Sequence, residues 1–287
     1  MEPIKIIECP RDAMQGIKPF IPTEKKVAYI QSLLRVGFDS IDFGSFVSPK
    51  AIPQMQDTAA VLAQLDLSQT RSKLLAIIAN TKGAQIASEH DAIQYLGYPF
   101  SISENFQMRN THKTIKESLV TLEEILEIAD KTNKEVVAYL SMGFGNPYGN
   151  PWSVEIVGDW TEKLCKMGVR ILSLSDTVGS STPEGIGYLF SNLIPKYPEI
   201  EFGAHLHTTS DKWFEKIDAA YHAGCRRYDG AIQGFGGCPM AKDDLTGNMP
   251  TEKLLSYFTA KKENININPL SFESAYNEAS KLFVDFH

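Results

Sequence analysis

Apolar and polar positions along this chain repeat one unit: a short apolar run, a turn, then apolar residues at helical spacing. Ile4–Glu8 is the first apolar run. Pro10 to Pro22 reads as loop, punctuated by Gly16, Pro19 and Pro22. Thr23 caps a helix that runs through Leu33 to Val36 and stops at Gly37. Ser40–Phe43 is a second strand, and Ser48-Pro49-Lys50 opens a helix over Ile52–Leu65. Lys73–Ala79 is apolar throughout its middle, which suits a parallel strand covered on both faces. Gly83–His90 reads as a short helix, Ala92–Leu96 as a strand and Ser101–Asn110 as a polar loop. Lys113–Lys131 is an amphipathic helix, with Leu119, Leu122, Ile125, Leu126 and Ala129 at helical spacing. Glu135–Ser141 is a strand, Trp152–Met167 a helix ended by Gly168, and Arg170–Ser175 a strand. Thr182-Pro183-Glu184 starts the next helix, with proline at its first position. Ile200–His207, Trp213–His222 and Arg227–Ile232 follow as strand, helix and strand. Gln233–Asn248 is glycine-rich and polar. Thr251–Lys261 is a closing helix, and Phe272–Phe286 is one more helix packed on the outside.

Eight strands alternating with helices imply an α/β protein with a parallel sheet. The count favours a closed (β/α)8 TIM barrel, one catalytic domain over residues 1–287 with an extra C-terminal helix. No Gly-x-Gly-x-x-Gly follows the first strand, which weakens the dinucleotide-binding alternative. Hydrophobic residues at 43% and charged residues at 22% are ordinary globular usage. A net charge of −7 argues against a nucleic-acid partner, which needs a basic footprint. No apolar run approaches a membrane span, and the N-terminus enters a strand at once, so neither a membrane partner nor a targeting segment is expected. Cys9, Cys165, Cys225 and Cys238 form no Cys-x-x-Cys pair; reduced thiols in the cytoplasm fit best.

In a strand, residues i and i+2 share a face, so His205 and His207 stand side by side. Two neutral imidazoles form half of a divalent-metal site, and the chain must supply the rest. In a barrel of this kind the chemistry belongs at the C-terminal strand ends. Asp12, after the first strand, is the obvious third ligand, against a plain reading as a loop carboxylate. Arg11 beside it is a surface charge, a partner for Glu8, or a fixed fork of donors for an anionic oxygen; its place at a strand end favours the last. Asn248 follows Gly247, which is turn chemistry. Cys238 lies in Gly236-Gly237-Cys238-Pro239, a setting suited to acid–base work. The other three cysteines lack such a setting.

Several stretches resemble 3-hydroxy-3-methylglutaryl-CoA lyases, and beyond them the metal-dependent Claisen-type barrel enzymes. They are Pro10-Arg11-Asp12-Ala13-Met14-Gln15, Ser45-Phe46-Val47-Ser48-Pro49-Lys50, Asp176-Thr177-Val178-Gly179, His205-Leu206-His207 and Gly234-Phe235-Gly236-Gly237-Cys238-Pro239. The resemblance covers nearly the whole chain. It implies Mg²⁺ or Mn²⁺ held by Asp12, His205, His207 and Asn248. It implies that Arg11 stabilises an enolate, and that Cys238 is the acid on a loop folding over the site. Asp12 or His205 would take the hydroxyl proton, and Gln15, Asp42, Tyr139, Asp176, Thr177 and Glu252 would form the supporting shell. An acyl-CoA substrate, a homodimer and a place in leucine degradation and ketone-body chemistry are further expectations of the resemblance.

There are departures. Asp42 stands where the family commonly carries Glu, which shortens its reach. Ser175 replaces a Gly, Thr208 replaces an Asp, and the stretch from Cys238 to Asn248 is about one residue longer than usual. An altered acyl group is therefore one alternative. A synthase joining acetyl-CoA to a 2-keto acid is another; it generally carries an accessory C-terminal region, and this chain ends soon after its eighth unit. An aldolase on a pyruvate-type product and a non-catalytic barrel are weaker rivals.

Overall fold

The computed structural model describes residues 2–237 and 246–286. Eight parallel strands close into a barrel: β1 (Lys5–Glu8), β2 (Ser40–Ser45), β3 (Lys73–Ile77), β4 (Ile93–Ser101), β5 (Glu135–Ser141), β6 (Ile171–Ser175), β7 (Glu201–His205) and, past the short rim strand β8 (His207–Thr208), β9 (Arg227–Gly230). β9 returns onto β1 in register from Lys5 against Arg227 to Glu8 against Gly230. A further short strand, β10 (Gly247–Asn248), pairs antiparallel with β8 above the barrel.

Helices alternate with the strands: α1 (Pro10–Gln15), α2 (Thr23–Leu34), α3 (Thr58–Leu62), α4 (Thr81–Ser88), α5 (Glu104–Thr111), α6 (Ile115–Lys131), α7 (Val154–Met167), α8 (Pro183–Lys196), α9 (Trp213–His222), α10 (Thr251–Ala260) and α11 (Pro269–Phe286). The strand period of two sorts each strand into two environments. Ile41 and Phe43 turn outward into the core shared with the helices, and Asp42 between them turns inward. Leu75, Ile77, Tyr95, Val137, Tyr139 and Ile171 pack together inside the barrel. Helix α6 starts at a capping box: Thr114 Oγ1 accepts from the Glu117 N–H, and the Glu117 carboxylate accepts from the Thr114 N–H. The expected outer helix is α11, which lies on α2 with the Tyr29 and Phe283 rings edge to face at 6.0 Å.

The structure departs from the sequence expectation in several elements, and β4 runs on from the expected end at Leu96 to Ser101. Pro10–Gln15, expected as loop, is helical: proline at the first helical position needs no N–H partner and has φ preset for the turn. Ser101–Asn110, also expected as loop, holds α5, whose cap is Ser103 accepting from the Phe106 N–H at 3.3 Å. Polar α5 buries only Phe106 and Gln107, so its apolar period is faint. The single helix expected over Ile52–Leu65 is split into a 3-10 turn at Pro53–Met55 and the short α3. The strand expected over Ile200–His207 stops at His205, and His207 belongs to the rim pair with Asn248.

Candidate active site

The C-terminal strand ends surround a cavity of about 540 Å³. Arg11, Asp12 and Gln15 reach it from α1, Tyr139 and Ser141 from β5, Ser175 and Thr177 from the end of β6, and His205 and His207 from β7 and β8. Helix α1 explains why Arg11 and Asp12 work together. It begins directly after β1, so both side chains are buried against the rim instead of lying in solvent.

Arg11 is held on two sides. Its Nε donates to both oxygens of Asp42 at 3.2 and 3.0 Å, Nη2 donates to Asp42 Oδ2, and Nη1 donates to Asp12 Oδ1 at 2.8 Å. Asp42 thus reaches Arg11 directly, although its chain is one methylene shorter than Glu. Burial pulls the guanidinium down, but Asp42 and Asp12 more than offset this and hold it firmly charged. Burial pushes Asp42 up to about 6 despite the opposing pull of Arg11. Asp12 is also pushed up by burial, yet Arg11, the two imidazoles and Asn248 hold it below the usual carboxylate range. Gln15 Nε2 donates to Asp12 Oδ1 at 2.6 Å, and Asn248 Nδ2 donates to Asp12 Oδ2 at 2.7 Å and to the Phe235 carbonyl at 2.8 Å. With its nitrogen so engaged, the carbonyl oxygen of Asn248 is the atom a cation would take.

The His205 and His207 rings lie 5.3 Å apart. His205 Nδ1 meets Asp229 Oδ2 at 3.0 Å, and Tyr139 packs edge-on to the ring at 5.6 Å. Burial pulls His205 down, but Asp229 and then Asp12 raise it above the ordinary imidazole value. His207 is pushed down to about 4, first by burial and then by His205, so it is neutral at pH 7 with a lone pair to offer. Its Nε2 is buried and has no hydrogen-bond partner among the described residues. Ligand atoms of Asp12, His205 and His207 lie within 4.8 Å of one another. One carboxylate oxygen and two imidazole nitrogens suit a divalent cation, and a bare buried nitrogen is costly without a partner. The residues present therefore fit a cation.

The other expected residues take different places. Thr177 lines the cavity while its Oγ1 accepts from the Met142 N–H at 2.9 Å. Asp176 does not line the cavity; it accepts from Ser181 and from Lys216 Nζ at 2.8 Å. Lys216 also donates to the His207 carbonyl at 2.8 Å, so Asp176 steadies the backbone beneath the imidazole. Glu252 accepts from the Gln233 N–H at 3.0 Å, pinning a turn in which Gln233 has φ 62°. Cys238 lies outside the described residues. Gly236, two positions before it, has φ +91°, and a Cβ there would stand 2.6 Å from the Asp12 carbonyl. Sequence reasoning missed Asp229, Arg227 and Lys216. The available signal was an Arg and an Asp on one face of the last barrel strand; Lys216, between Glu215 and Asp218 in α9, carried none.

Residues 4–277 match the HMGL-like family. The hydroxymethylglutaryl-CoA lyase YngG of Bacillus subtilis is 32% identical over 249 residues, 86% of this chain and 81% of that protein. A Pseudomonas aeruginosa 3-hydroxy-3-isohexenylglutaryl-CoA/hydroxy-methylglutaryl-CoA lyase is 32% identical over 253 residues, 88% of this chain and 83% of its own. An HMG-CoA lyase from Acinetobacter baumannii, solved with coenzyme A and 3-methylmalate, superposes with a TM-score of 0.89 at 30% identity, covering 97% of this chain and 90% of that one.

Proposed function

The chain belongs to the HMGL-like family, and from that premise we propose that it is a carbon–carbon lyase cleaving 3-hydroxy-3-methylglutaryl-CoA to acetoacetate and acetyl-CoA. The observation that carries this reading is the convergence of a charged Arg11, the Asp12 carboxylate and two imidazoles on one cavity. The reaction breaks the bond between C2 and C3. The 3-hydroxyl gives up its proton, C3 becomes the ketone of acetoacetate, and the bonding pair passes to C2 and the thioester oxygen as an enolate. A proton added at C2 completes acetyl-CoA.

Asp12, His205, His207 and Asn248 would hold the cation, Mg²⁺ or Mn²⁺. When bound, such an ion supplies Lewis acidity toward the substrate hydroxyl. Arg11 presents the N–H groups that Asp42 and Asp12 leave over to the thioester oxygen, where negative charge develops. Its two carboxylate partners fix the fork before substrate arrives, so little reorganisation is needed. Asp12 and His205 are the two groups that could receive the hydroxyl proton. Cys238 delivers the proton to C2; in support, the glycine loop leading to it passes against Asp12 at Gly236. Lys50 and Lys82, the lysines the sequence offers at this face for the CoA phosphates, are exposed and do not line the cavity.

A homodimer, and a reducing compartment such as the cytoplasm suited to the free Cys9, Cys165 and Cys225, complete the proposal. No helix among the described residues is long and apolar enough to cross a membrane. The test is direct: purified protein, Mg²⁺ and 3-hydroxy-3-methylglutaryl-CoA should yield acetoacetate. A second reading is favoured by the apolar wall of Val47, Ile52, Ile77, Pro99 and Phe106. That wall suits a longer 3-substituent, as in the name of the P. aeruginosa relative. Cleavage of the isohexenyl analogue without cleavage of the methyl compound would replace the first substrate with the second.

A further inference from the structure

We propose that Asp229, in the field of Arg227, is a positioning residue for His205: it accepts a hydrogen bond from Nδ1–H and so leaves the Nε2 lone pair for the cavity. The proposal rests on the reading of Asp12, His205 and His207 as a cation site. Asp229 and Arg227 are two residues apart on β9, so both point into the barrel. Asp229 is 3% exposed and Arg227 1%. Asp229 Oδ2 meets His205 Nδ1 at 3.0 Å and accepts from Ser173 Oγ at 3.4 Å. A carboxylate can only accept, so the ring nitrogen facing it must carry the hydrogen. That leaves Nε2 unprotonated in the neutral ring, which is the form a cation requires.

Among the described residues, Cys9 and Tyr139 also approach the ring, and neither does this. Cys9 Sγ lies close to both His205 and Asp229 but turns its hydrogen to the Ile7 carbonyl at 3.8 Å. Tyr139 limits ring rotation by edge-on packing and makes no hydrogen bond to the imidazole. The counter-charge for a carboxylate so deep in the barrel is Arg227, one inward position below. Burial pulls its guanidinium down, and the charge of Asp229 leads the contributions that raise it again. Arg227 Nη1 is fixed from beneath by Glu201 at 3.1 Å. Arg227 therefore acts on Asp229 through its charge alone: its hydrogen bond goes to Glu201 on the barrel floor, and no hydrogen bond or ion pair joins it to Asp229.

The test uses the full-length protein labelled with ¹⁵N-histidine and freed of metal. The imidazole ¹⁵N spectrum of wild type, recorded at a pH high enough for the ring to be neutral, should show His205 as the Nδ1–H tautomer. In D229N, whose amide can present a donor instead, the Nε2–H tautomer should gain population. Mn²⁺ affinity, followed by electron paramagnetic resonance, should fall 10–100-fold. A purely structural carboxylate would leave the tautomer unchanged. A wild-type His205 protonated on Nε2 overturns the proposal, and so does a D229N protein with unaltered spectrum and Mn²⁺ affinity. If D229N fails to fold, the wild-type spectrum alone decides. Wild-type protein that shows the Nδ1–H tautomer but binds no Mn²⁺ would sink the cation reading and leave the positioning role intact.

Discussion

His207 is the residue on which the cation reading turns. Most buried polar atoms find a partner, and its Nε2 has none among the described residues. Its neighbours do not make it a structural histidine: burial and the adjacent His205 push it down to about 4, so no carboxylate is needed to balance a charge. We expect His207→Ala to weaken Mn²⁺ binding, read by titration calorimetry, by more than the 10–100-fold typical of losing an outer partner. Unchanged affinity would remove His207 from the ligand set. Cys238 carries the opposite expectation. Cys238→Ser should cost about 10²–10⁴-fold in kcat, the range of general acid catalysis, while Mn²⁺ affinity stays at the wild-type value. Normal turnover would mean that another group protonates the carbanion. At this scale the sequence was legible where chemistry sits in adjacent letters: Arg11-Asp12 and His205-x-His207 could be picked out directly. Asp229 could not, because its meaning is a 3.0 Å contact with a ring on another strand. Lys216 is similar; only the folded chain brings its ammonium to Asp176 and the His207 carbonyl.

Two small elements decide whether those residues meet. Helix α1 is six residues long and places Arg11 and Asp12 at the rim. The β8–β10 pair sets Asn248 opposite His207 and so brings the chain back over Asp12. Both were illegible for the same reason: an element this short has too few residues to display a period. The long strands and helices were legible because each buries one face, and their order was enough to argue a barrel. The glycine loop entering β10 is a sharper case. Gly236 has φ +91°, and a Cβ there would stand 2.6 Å from the Asp12 carbonyl and 2.8 Å from Asn248 Nδ2. Gly236→Ala should therefore push apart the two groups it touches and strain its own backbone by about 1–3 kcal/mol. The expected result is at least a tenfold loss of Mn²⁺ affinity and activity with the far-ultraviolet circular dichroism unchanged. A variant with wild-type affinity would show that the loop adjusts without disturbing Asp12.

At the scale of the molecule, a closed barrel has one seam where first strand meets last, and here Glu8 is placed across it. From the end of β1 its carboxylate accepts from the Ile232 N–H at 2.9 Å, just past β9, and from Thr251 Oγ1 at 2.6 Å, at the start of α10. By sequence Arg11 is a candidate partner for it, but the structure gives Arg11 to Asp42 and Asp12, and no hydrogen bond or ion pair joins it to Glu8. Burial pushes Glu8 up to about 8 from its ordinary 4.5; the two hydrogen bonds pull the other way, and Glu252 adds a little in the same direction as burial. Tyr29, whose hydroxyl senses this charge, is itself raised by burial and stays neutral below pH 8. The sign follows from linkage. Below pH 4.5 Glu8 is protonated whether the chain is folded or not, and its contribution to stability is fully present. Between pH 4.5 and about 8 the unfolded chain releases this proton and the folded one keeps it, so stability drains away as pH rises. Glu8→Gln keeps an acceptor for the Ile232 N–H, offers Thr251 a donor, and cannot ionise. Its melting temperature should match wild type near pH 4.5 and exceed it by a margin that widens toward pH 8. Comparing the two proteins at each pH cancels the titrations they share, including those of the rim. A margin that stays constant with pH would mean that Glu8 is ionised at neutrality and that the seam is closed by charged hydrogen bonds instead.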